Sequence, residues 1–318
     1  MQNLGLTLKS TLLSSQAASI WIAFLITAVS CPILIKLSPE FGLFDNPEGS
    51  NRKIHGTAKP LGGPALALGI IPILVIFADN GAHLTVAALL VFFTGLIDDL
   101  KGLPARVKLL AQIAAVTYLL GTVSLQPPGI LFSETGGLTL TGLPKLAFLG
   151  FWLVGGTNAF NLIDGLDGLS SGVAIISLSP LFLLTFGQPA SFLLGGTIAA
   201  LGAILLYNFY PARLFLGDGG SYLTGFLVSY LVITALSRPD VTPHFGWPLF
   251  AGIALMGVPV LDTLLAIGRR VTSHRGVMKA DQEHLHHKLH RTFGHLPAVL
   301  IIYAISASFA VLAFHFYL

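Results

Sequence analysis

Residues 168–212 read GLSSGVAIISLSPLFLLTFGQPASFLLGGTIAALGAILLYNFYPA and contain no charged side chain. About 20 apolar residues are enough for a helix to cross the hydrocarbon core of a membrane. The stretch is therefore too long for one membrane span, and Gly187-Gln188-Pro189 supplies a turn that divides it into two. An uncharged stretch of this length is typical of membrane helices and decides the fold class.

The composition of the whole chain also indicates a membrane protein. The 318 residues are 54% hydrophobic and 10% charged, with a mean hydropathy of +0.81, whereas soluble domains carry about 25% charged residues. This composition argues against a soluble globule or a disordered chain. The net charge of +3 argues against a nucleic-acid-binding protein. The one cysteine, Cys31, excludes a disulfide framework and predicts a buried thiol.

Ten apolar stretches predict an all-α polytopic membrane protein with about ten transmembrane helices in one domain, residues 1–318. They cover residues 18–35, 60–78, 81–97, 109–121, 146–158, the two halves of 168–212, 219–237, 245–261 and 296–318. With the N-terminus outside, 14 of the 17 Lys and Arg residues fall in cytoplasmic connections, and only Lys9, Lys145 and Arg238 fall outside. Because basic residues favour the cytoplasmic side, we expect an N-out and C-out topology.

Residues 126–142 differ from the other connections on the outer side. Pro127-Pro128 begins the segment, and Gly136-Gly137 separates the short runs 129–132 and 138–141. Two short runs on either side of a glycine pair predict a small β-hairpin on the outer face.

Acidic residues close to the membrane are costly and indicate a functional site by default. Asp98 and Asp99 follow the end of a predicted helix and precede Lys101, Arg106 and Lys108. Adjacent carboxylates with cations nearby suit a metal site or a general base. A charged helix end at the membrane interface is the alternative interpretation.

A second polar cluster lies at the end of the fifth apolar stretch. Asn158, Asn161 and Asp164 follow one another at i, i+3 spacings, which place them on one helix face. Gly165 and Gly168 then allow a tight turn and a close approach of a ligand. We interpret this cluster as functional rather than as a polar helix cap.

Asp218 lies between glycines immediately before an apolar stretch. An acidic residue in this position is either a simple helix N-cap or a ligand for Mg²⁺ beside backbone N–H groups that bind phosphate. The residues alone leave both interpretations open.

A fourth cluster contains four histidines within residues 284–291. His286 and His290 have the i, i+4 spacing of a zinc pair, but the glutamate of the usual motif is absent. We favour a site in which His, Lys and Arg donors bind phosphate. A basic loop near anionic lipid is the alternative.

Two further features have structural interpretations. Asp262 lies shortly before Arg269 and Arg270, which favours an ion pair at a helix end. Gly62-Gly63 follows the basic stretch 51–59 and indicates a close approach of two backbones.

The unusual polar groups all fall on the cytoplasmic side of the predicted topology. They comprise carboxylates for a hard cation, cationic donors for phosphate, and asparagines for a sugar or base. This set fits a Mg²⁺-dependent phosphoryl transfer between a soluble polyanion and a lipid phosphate. A cation transporter that uses the same acids is the competing class, but transporters more often place polar residues at mid-membrane.

The chain resembles the polyprenyl-phosphate N-acetylhexosamine-1-phosphate transferases over nearly its whole length. The resemblance rests on Asp98-Asp99 and on residues 158–169, 215–221 and 284–287, in that order. Members transfer a sugar 1-phosphate from a UDP-sugar to a lipid phosphate and release UMP. Residues 52–55 and the interruption of the histidine motif by Leu285 resemble the WecA/TagO branch, which uses UDP-N-acetylglucosamine, more than the peptidoglycan branch.

The resemblance implies specific roles for three of the aspartates. Asp218 would bind Mg²⁺, with Mn²⁺ as a substitute. Asp98 and Asp99 would be catalytic, Asp98 as the base toward the lipid phosphate and Asp99 in a network around Lys101 or Lys53. Direct attack and a covalent aspartyl–phosphosugar intermediate both stay open.

The resemblance also implies substrate contacts. Phe215 would stack on uracil, and Asp167 and Asn208 would contact the uridine. Asn161 and the catalytic Asp164 would order the diphosphate site. The other implied substrate-binding residues are Lys53, Asn158, His284, His286 and His287.

The expected partners are a UDP-sugar, undecaprenyl phosphate and membrane lipid, and no nucleic acid. The protein would lie in the bacterial inner membrane with its active site on the cytoplasmic face. It would start a lipid-linked envelope glycan such as O-antigen or teichoic acid. Another UDP-N-acetylhexosamine is the alternative donor, and the oligomeric state is open, with a homodimer as one option.

Overall fold

The computed structural model describes residues 2–37, 61–133, 136–238, 247–272 and 284–317, and Lys53 lies outside these ranges. Apart from one pair of short strands, the regular elements of the described residues are α-helices. In chain order the elements are α1 (Gln2–Leu37), α2 (Gly62–Phe77), α3 (Gly81–Lys101), α4 (Ala105–Thr122), β1 (Leu131–Ser133), β2 (Gly136–Leu138), α5 (Gly142–Ile163), α6 (Leu169–Leu184), α7 (Ala190–Asn208), α8 (Gly217–Leu236), α9 (Pro248–Leu255), α10 (Gly257–Thr272), α11 (Leu285–Phe293) and α12 (His295–Tyr317).

Six helices of the described chain are long and apolar enough to cross a membrane, namely α1, α3, α5, α7, α8 and α12. Helices α9 and α10 form a seventh candidate, bent by 78° between them. Helices α2 and α6 are apolar but have only 16 residues each, and α4 carries Arg106, Lys108 and Gln112 among its 18 residues. By length and hydropathy the described residues thus support six or seven spans, fewer than the ten expected.

The division of the uncharged stretch 168–212 is confirmed. Helix α6 ends at Leu184 and α7 begins at Ala190. Between them Gly187 has φ 76°, a left-handed conformation that favours glycine. The chain can therefore reverse its direction within a few residues.

Helix α8 lies at the centre of the bundle. Almost all of its residues are buried, and it packs against α2, α3, α5 and α6. The outer helices instead expose apolar side chains such as Trp21 on α1 and Val311 on α12, which are 59% and 71% exposed. This distribution is that of a helical bundle with a lipid-facing surface.

Small residues bring other helices close to the beginning of α8. The backbone N–H groups of Gly62 and Gly63 donate to the carbonyls of Phe215 and Leu216, both at 2.9 Å. This confirms the close backbone approach predicted at Gly62-Gly63. Gly95 of α3 faces the backbone of Asp218 so closely that a Cβ atom there would collide with it.

The short strands β1 and β2 pair antiparallel, with Leu131 opposite Leu138 and Ser133 opposite Gly136. The expected position of Gly136-Gly137 between the two runs was wrong, because both glycines lie within β2. The side of the membrane on which this pair lies remains a prediction.

Candidate functional site

Four helix ends meet at one end of the bundle and bring four polar side chains together. The last turns of α3 and α5 and the first turns of α4 and α8 contribute Asp98, Asn161, Lys108 and Asp218. We call these four residues the acidic cluster. Their grouping depends on the packing of α3 and α5 against the buried helix α8 and of α4 against α3 and α5.

An ion pair lies at the centre of the acidic cluster. Lys108 Nζ lies 2.6 Å from Asp98 Oδ2 and 3.9 Å from Asp218 Oδ2. Asp98 Oδ1 also accepts the backbone N–H of Leu103 at 2.6 Å. The side chains of Asp98, Lys108 and Asp218 are 6%, 17% and 20% exposed, so solvent screens these charges only partly.

Asn161 orients Asp218 from the other side. Its Nδ2 atom donates to Asp218 Oδ1 and to Ser221 Oγ, both at 2.9 Å. The alternative interpretation of Asp218 as an N-cap is wrong, because α8 begins at Gly217 and its N-cap position is Leu216. The Asp218 carboxylate instead faces Asn161 and Lys108.

Asp99 caps α8 from a neighbouring helix. Its two oxygens accept the backbone N–H groups of Asp218 at 2.8 Å and Gly219 at 3.0 Å. The first N–H groups of a helix have no partner within the helix, and a carboxylate there is stabilising. The structure shows that Asp99 fixes the backbone of Asp218, and the network around Lys101 or Lys53 stays a prediction, since Lys53 lies outside the described residues.

A second group of contacts joins the turn between α5 and α6 to the segment before α8. Asp164 is the C-cap residue of α5. Asp167 Oδ2 accepts the backbone N–H of Ala212 at 3.0 Å, and the Asp167 N–H donates to His295 Nε2 at 3.0 Å. His295 also stacks on Tyr210 with 4.4 Å between the ring centroids. Asp167 therefore links the turn after α5 to the segment before α8 and to the beginning of α12, and its carboxylate takes part in the first of these contacts.

Two predicted uridine-binding residues are buried. Asn208 is 3% exposed, and its amide accepts from the Gly168 N–H at 3.0 Å and donates to the Leu214 carbonyl at 2.8 Å. These contacts do not support the predicted contact of Asn208 with the uridine. Phe215 is 7% exposed, so stacking on uracil requires its ring to become accessible.

Asn158 faces a different helix from Asn161. Its Nδ2 atom donates to Gln112 Oε1 at 2.6 Å and to the Val154 carbonyl at 2.8 Å. Residues three apart on a helix point about 60° away from each other, so α4 can take one asparagine and α8 the other. The i, i+3 spacing thus places the two asparagines on one broad face, as expected, but they contact different helices, and this environment does not support the predicted contact of Asn158 with substrate.

The histidine motif packs against α10. His284 Nδ1 lies 2.8 Å from Asp262 Oδ2, and Asp262 Oδ1 accepts the Leu285 N–H at 2.9 Å. Asp262 is 2% exposed, so its buried partner is His284, 22 residues later, rather than the arginines that follow it. His286 lies directly against Gly165 of the turn after α5.

Burial decides the charge of these histidines. Burial and then the neighbouring His287 lower the pKa of His286 to about 3. Burial also lowers the pKa of His287, and the neighbouring His284 and Arg291 add to this effect. Both rings are thus neutral near pH 7 and can bind phosphate by hydrogen bonds but not by charge. Within the described residues no group of three metal-binding side chains has the geometry of a metal site, so the zinc interpretation gains no support.

The acidic cluster fits a hard divalent cation. Asp98 and Asp218 are in direct contact, and two facing carboxylates repel each other unless a cation lies nearby. Mg²⁺ commonly takes one or two carboxylates and completes its coordination with water and substrate phosphates. The cluster supplies these carboxylates together with the amide of Asn161.

Lys108 is a site residue that the sequence interpretation did not single out. It was named only as one of the cations that follow Asp98 and Asp99, and the predicted apolar stretch begins after it, at residue 109. A cation this close to paired carboxylates at a membrane boundary is the signal that could have identified it.

Comparison with known proteins decides the family. Residues 82–236 match the model described as glycosyl transferase family 4. A probable undecaprenyl-phosphate N-acetylglucosaminyl 1-phosphate transferase of Bacillus subtilis (strain 168) is 31% identical over 321 residues, covering 95% of this chain and 86% of the relative. The chain belongs to glycosyl transferase family 4. This membership makes it a phosphoglycosyl transferase and, with its apolar helices, a multi-pass membrane protein.

Two further relatives in the family are similar at comparable identity. A decaprenyl-phosphate N-acetylglucosaminephosphotransferase of Mycobacterium tuberculosis (strain CDC 1551 / Oshkosh) is 32% identical, covering 79% of this chain and 70% of the relative. A phospho-N-acetylmuramoyl-pentapeptide-transferase of Staphylococcus carnosus (strain TM300) is 31% identical, covering 79% of this chain and 85% of the relative. The family match includes the ends of α3, α4, α5 and α8 that form the acidic cluster.

Proposed function

We propose that this protein transfers N-acetylglucosamine 1-phosphate from UDP-N-acetylglucosamine to undecaprenyl phosphate and releases UMP. The observation that carries the proposal is the 31% identity over 95% of the chain to the Bacillus relative, whose name describes transfer of this sugar phosphate to this lipid. The interruption of the histidine motif by Leu285 favours this donor over that of the peptidoglycan branch. The product would start a lipid-linked envelope glycan.

The reaction is a displacement at phosphorus. An oxygen of the lipid phosphate forms a bond to the β-phosphorus of the UDP-sugar. The bond from that phosphorus to the oxygen bridging the α-phosphate breaks, and UMP leaves with the electron pair. The lipid then carries the sugar on a diphosphate.

Lys108 and Asp98 are the groups we assign to the lipid phosphate. The ammonium group of Lys108 lies between two carboxylates, and together with Mg²⁺ it would offset the charge of an incoming phosphate. The second pKa of a phosphate monoester is about 6, so the lipid phosphate holds its last proton only weakly near pH 7. Asp98 need accept no more than this proton. Both oxygens of Asp98 already accept hydrogen bonds from Lys108 and Leu103, which favours direct attack by the lipid over a covalent intermediate on Asp98.

Asp218 and Asn161 are the groups we assign to Mg²⁺ and the diphosphate. When bound, Mg²⁺ would neutralise the charge that develops on the leaving UMP. Asp99 would hold Asp218 in place through the backbone N–H groups that it caps. Asp164 and Asp167 lie on the adjacent turn, where the nucleotide could reach them from the same side.

An apolar groove between α4 and α5 is the proposed site of the lipid chain. It has a volume of about 570 Å³ and is lined by Ile113, Val116, Leu120, Leu146, Gly150 and Val154. Gly121 and Gly150 have open space beside them, so the groove opens sideways between the helices. Along α4, Lys108 lies beyond Ile113, so the acidic cluster is at the end of the groove that Ile113 and Val154 form, where a lipid phosphate would lie.

The proposed topology keeps the acidic cluster on the cytoplasmic face of the inner membrane. The sorting of 14 of the 17 basic residues to one side supports it. We propose that α2, α4 and α6 also cross the membrane, which gives ten spans. A helix of 16 residues is about 24 Å long, and its flanking residues can cover the rest of a core of about 30 Å.

A panel of UDP-sugars tests this function. Purified protein in detergent is given undecaprenyl phosphate and Mg²⁺, and UMP release is measured for each sugar, with Asp218→Asn as the inactive control. We expect UDP-N-acetylglucosamine to give the highest kcat/KM. A higher value for another UDP-N-acetylhexosamine would reassign the donor. Cation transport without UMP release would support the transporter class instead.

A further inference from the structure

A buried amide pair joins α4 to α5 next to the acidic cluster. Gln112 Oε1 accepts from Asn158 Nδ2 at 2.6 Å, and Gln112 Nε2 donates to Asn158 Oδ1 at 3.5 Å. Gln112 is fully buried. The two side chains therefore match each other's polar groups where Gln112 is shielded from solvent and Asn158 is partly buried, and an unmatched buried amide is costly.

On α4 this pair is the anchor nearest to the lysine of the acidic cluster. Among residues 105–113, Gln112 is the only buried one. Lys108 lies one helical turn before Gln112 and presents its ammonium group to Asp98. On the other side of Lys108, Asp98 itself holds the connection between the helices through the Leu103 N–H. The placement of Lys108 thus depends on these two attachments.

On α5 the same pair lies one turn before the asparagine of the cluster. Asn158 contacts Gln112, and Asn161 donates to Asp218. Because a helix transmits a displacement along its axis, a shift of α4 against α5 moves Lys108 relative to Asp218. The amide pair therefore fixes the geometry of the cluster without belonging to it.

We propose that Gln112 is a positioning residue that, through its amide pair with Asn158, holds α4 against α5 and keeps Lys108 in place. The expected loss of kcat rests on the proposed function, whereas the expected loosening of α4 does not. A misplacement of about 1 Å at a reacting centre costs roughly 100-fold in rate. Loss of the pair should therefore lower kcat by roughly this factor and leave the KM for UDP-N-acetylglucosamine nearly unchanged.

The test compares broken and exchanged versions of the pair. Gln112→Leu and Asn158→Leu each remove one partner. The double variant Gln112→Asn with Asn158→Gln keeps the summed length of the two side chains and can re-form the reciprocal contact. UMP release gives kcat and KM, and backbone amide hydrogen exchange of residues 105–111 reports the attachment of α4 without any need for activity.

Gln16 supplies a matched control. It is another buried glutamine, 2% exposed, and it accepts the Gly187 N–H at 3.0 Å far from the acidic cluster. Gln16→Leu should lower the melting temperature and leave kcat and the exchange of residues 105–111 unchanged. A general effect of losing a buried amide would appear equally in this variant.

We expect Gln112→Leu to lower kcat and raise exchange in residues 105–111, and the exchanged pair to restore both. Wild-type kcat or wild-type exchange in Gln112→Leu would overturn the proposal. So would an exchanged pair that behaves no better than the single variants. If the unmodified protein releases no UMP, the proposed function fails, and the exchange measurement alone then decides whether the pair anchors α4.

Discussion

Replacing Lys108 by methionine should remove most of the turnover and lower the Mg²⁺ concentration that gives half the maximal rate. Methionine keeps most of the side-chain length and leaves Asp98 and Asp218 facing each other without the ammonium group, which lies 2.6 Å and 3.9 Å from their oxygens. Removing one partner of a buried ion pair costs about 3–5 kcal/mol. If this loss falls on the transition state, kcat decreases by about 10²- to 5 × 10³-fold.

The effect on Mg²⁺ has the opposite sign. Two unit charges 4 Å apart interact by about 4 kcal/mol at an effective dielectric constant of 20, so loss of the ammonium group favours a divalent cation near the carboxylates. The assay is UMP release by purified protein over a range of Mg²⁺ concentrations. Lys108→Arg, which keeps the charge, is the matched control and should retain the Mg²⁺ dependence. A Lys108→Met variant with the wild-type rate and Mg²⁺ dependence would refute the assignment.

Four further substitutions test the remaining assignments. Asp218→Asn should nearly abolish turnover while the protein still inserts, because the amide keeps the shape and loses the charge; a wild-type rate at low Mg²⁺ would contradict this. Phe215→Ala should weaken UMP binding, since an aromatic–base stack is worth about 1–3 kcal/mol; unchanged UMP affinity with a lower melting temperature would identify Phe215 as a core residue. Asp98→Asn should lower kcat, leave nucleotide binding intact and recover part of its rate as the pH rises and the lipid phosphate loses its proton unaided. Asp99→Asn should be milder, with lower thermal stability and no such recovery; a flat pH profile for Asp98→Asn or a larger loss for Asp99→Asn would reverse this order.

Patterns that depend on neighbouring residues predicted much of the fold. The break at Gly187-Gln188-Pro189 and the close approach at Gly62-Gly63 are both confirmed, because each depends on local backbone freedom. The number of spans was less predictable. Hydropathy detects apolar stretches, but it does not show that helices such as α2 and α6 stop after 16 residues.

Contacts between distant segments could not be predicted in the same way. The sequence placed Asp262 with the nearby arginines, whereas its buried partner is His284. Lys108 was treated as a topology signal because its contact with Asp98 depends on how α4 packs against α3. The spacing of Asn158 and Asn161 was read correctly, but the neighbouring helices that divide them between two environments are invisible in the sequence.

The family resemblance gave roles to Asp98 and Asp218, but nothing in the sequence predicted that their carboxylates lie together. Asp98 and Asp218 are far apart in the chain, and only the packing of α3 against α8 brings them together. The cap that Asp99 places on α8 was missed for the same reason. Neither of two adjacent aspartates can be assigned a role until the directions of their side chains are known.

The fate of the β-phosphorus tests the central claim most directly. UDP-N-acetylglucosamine labelled with ³²P in the β-phosphate is incubated with undecaprenyl phosphate, Mg²⁺ and purified protein, and the nucleotide and lipid products are separated. The account predicts unlabelled UMP and a lipid product that carries the label together with the sugar. Labelled UDP with an unlabelled glycolipid would show transfer of the sugar alone and would contradict the account.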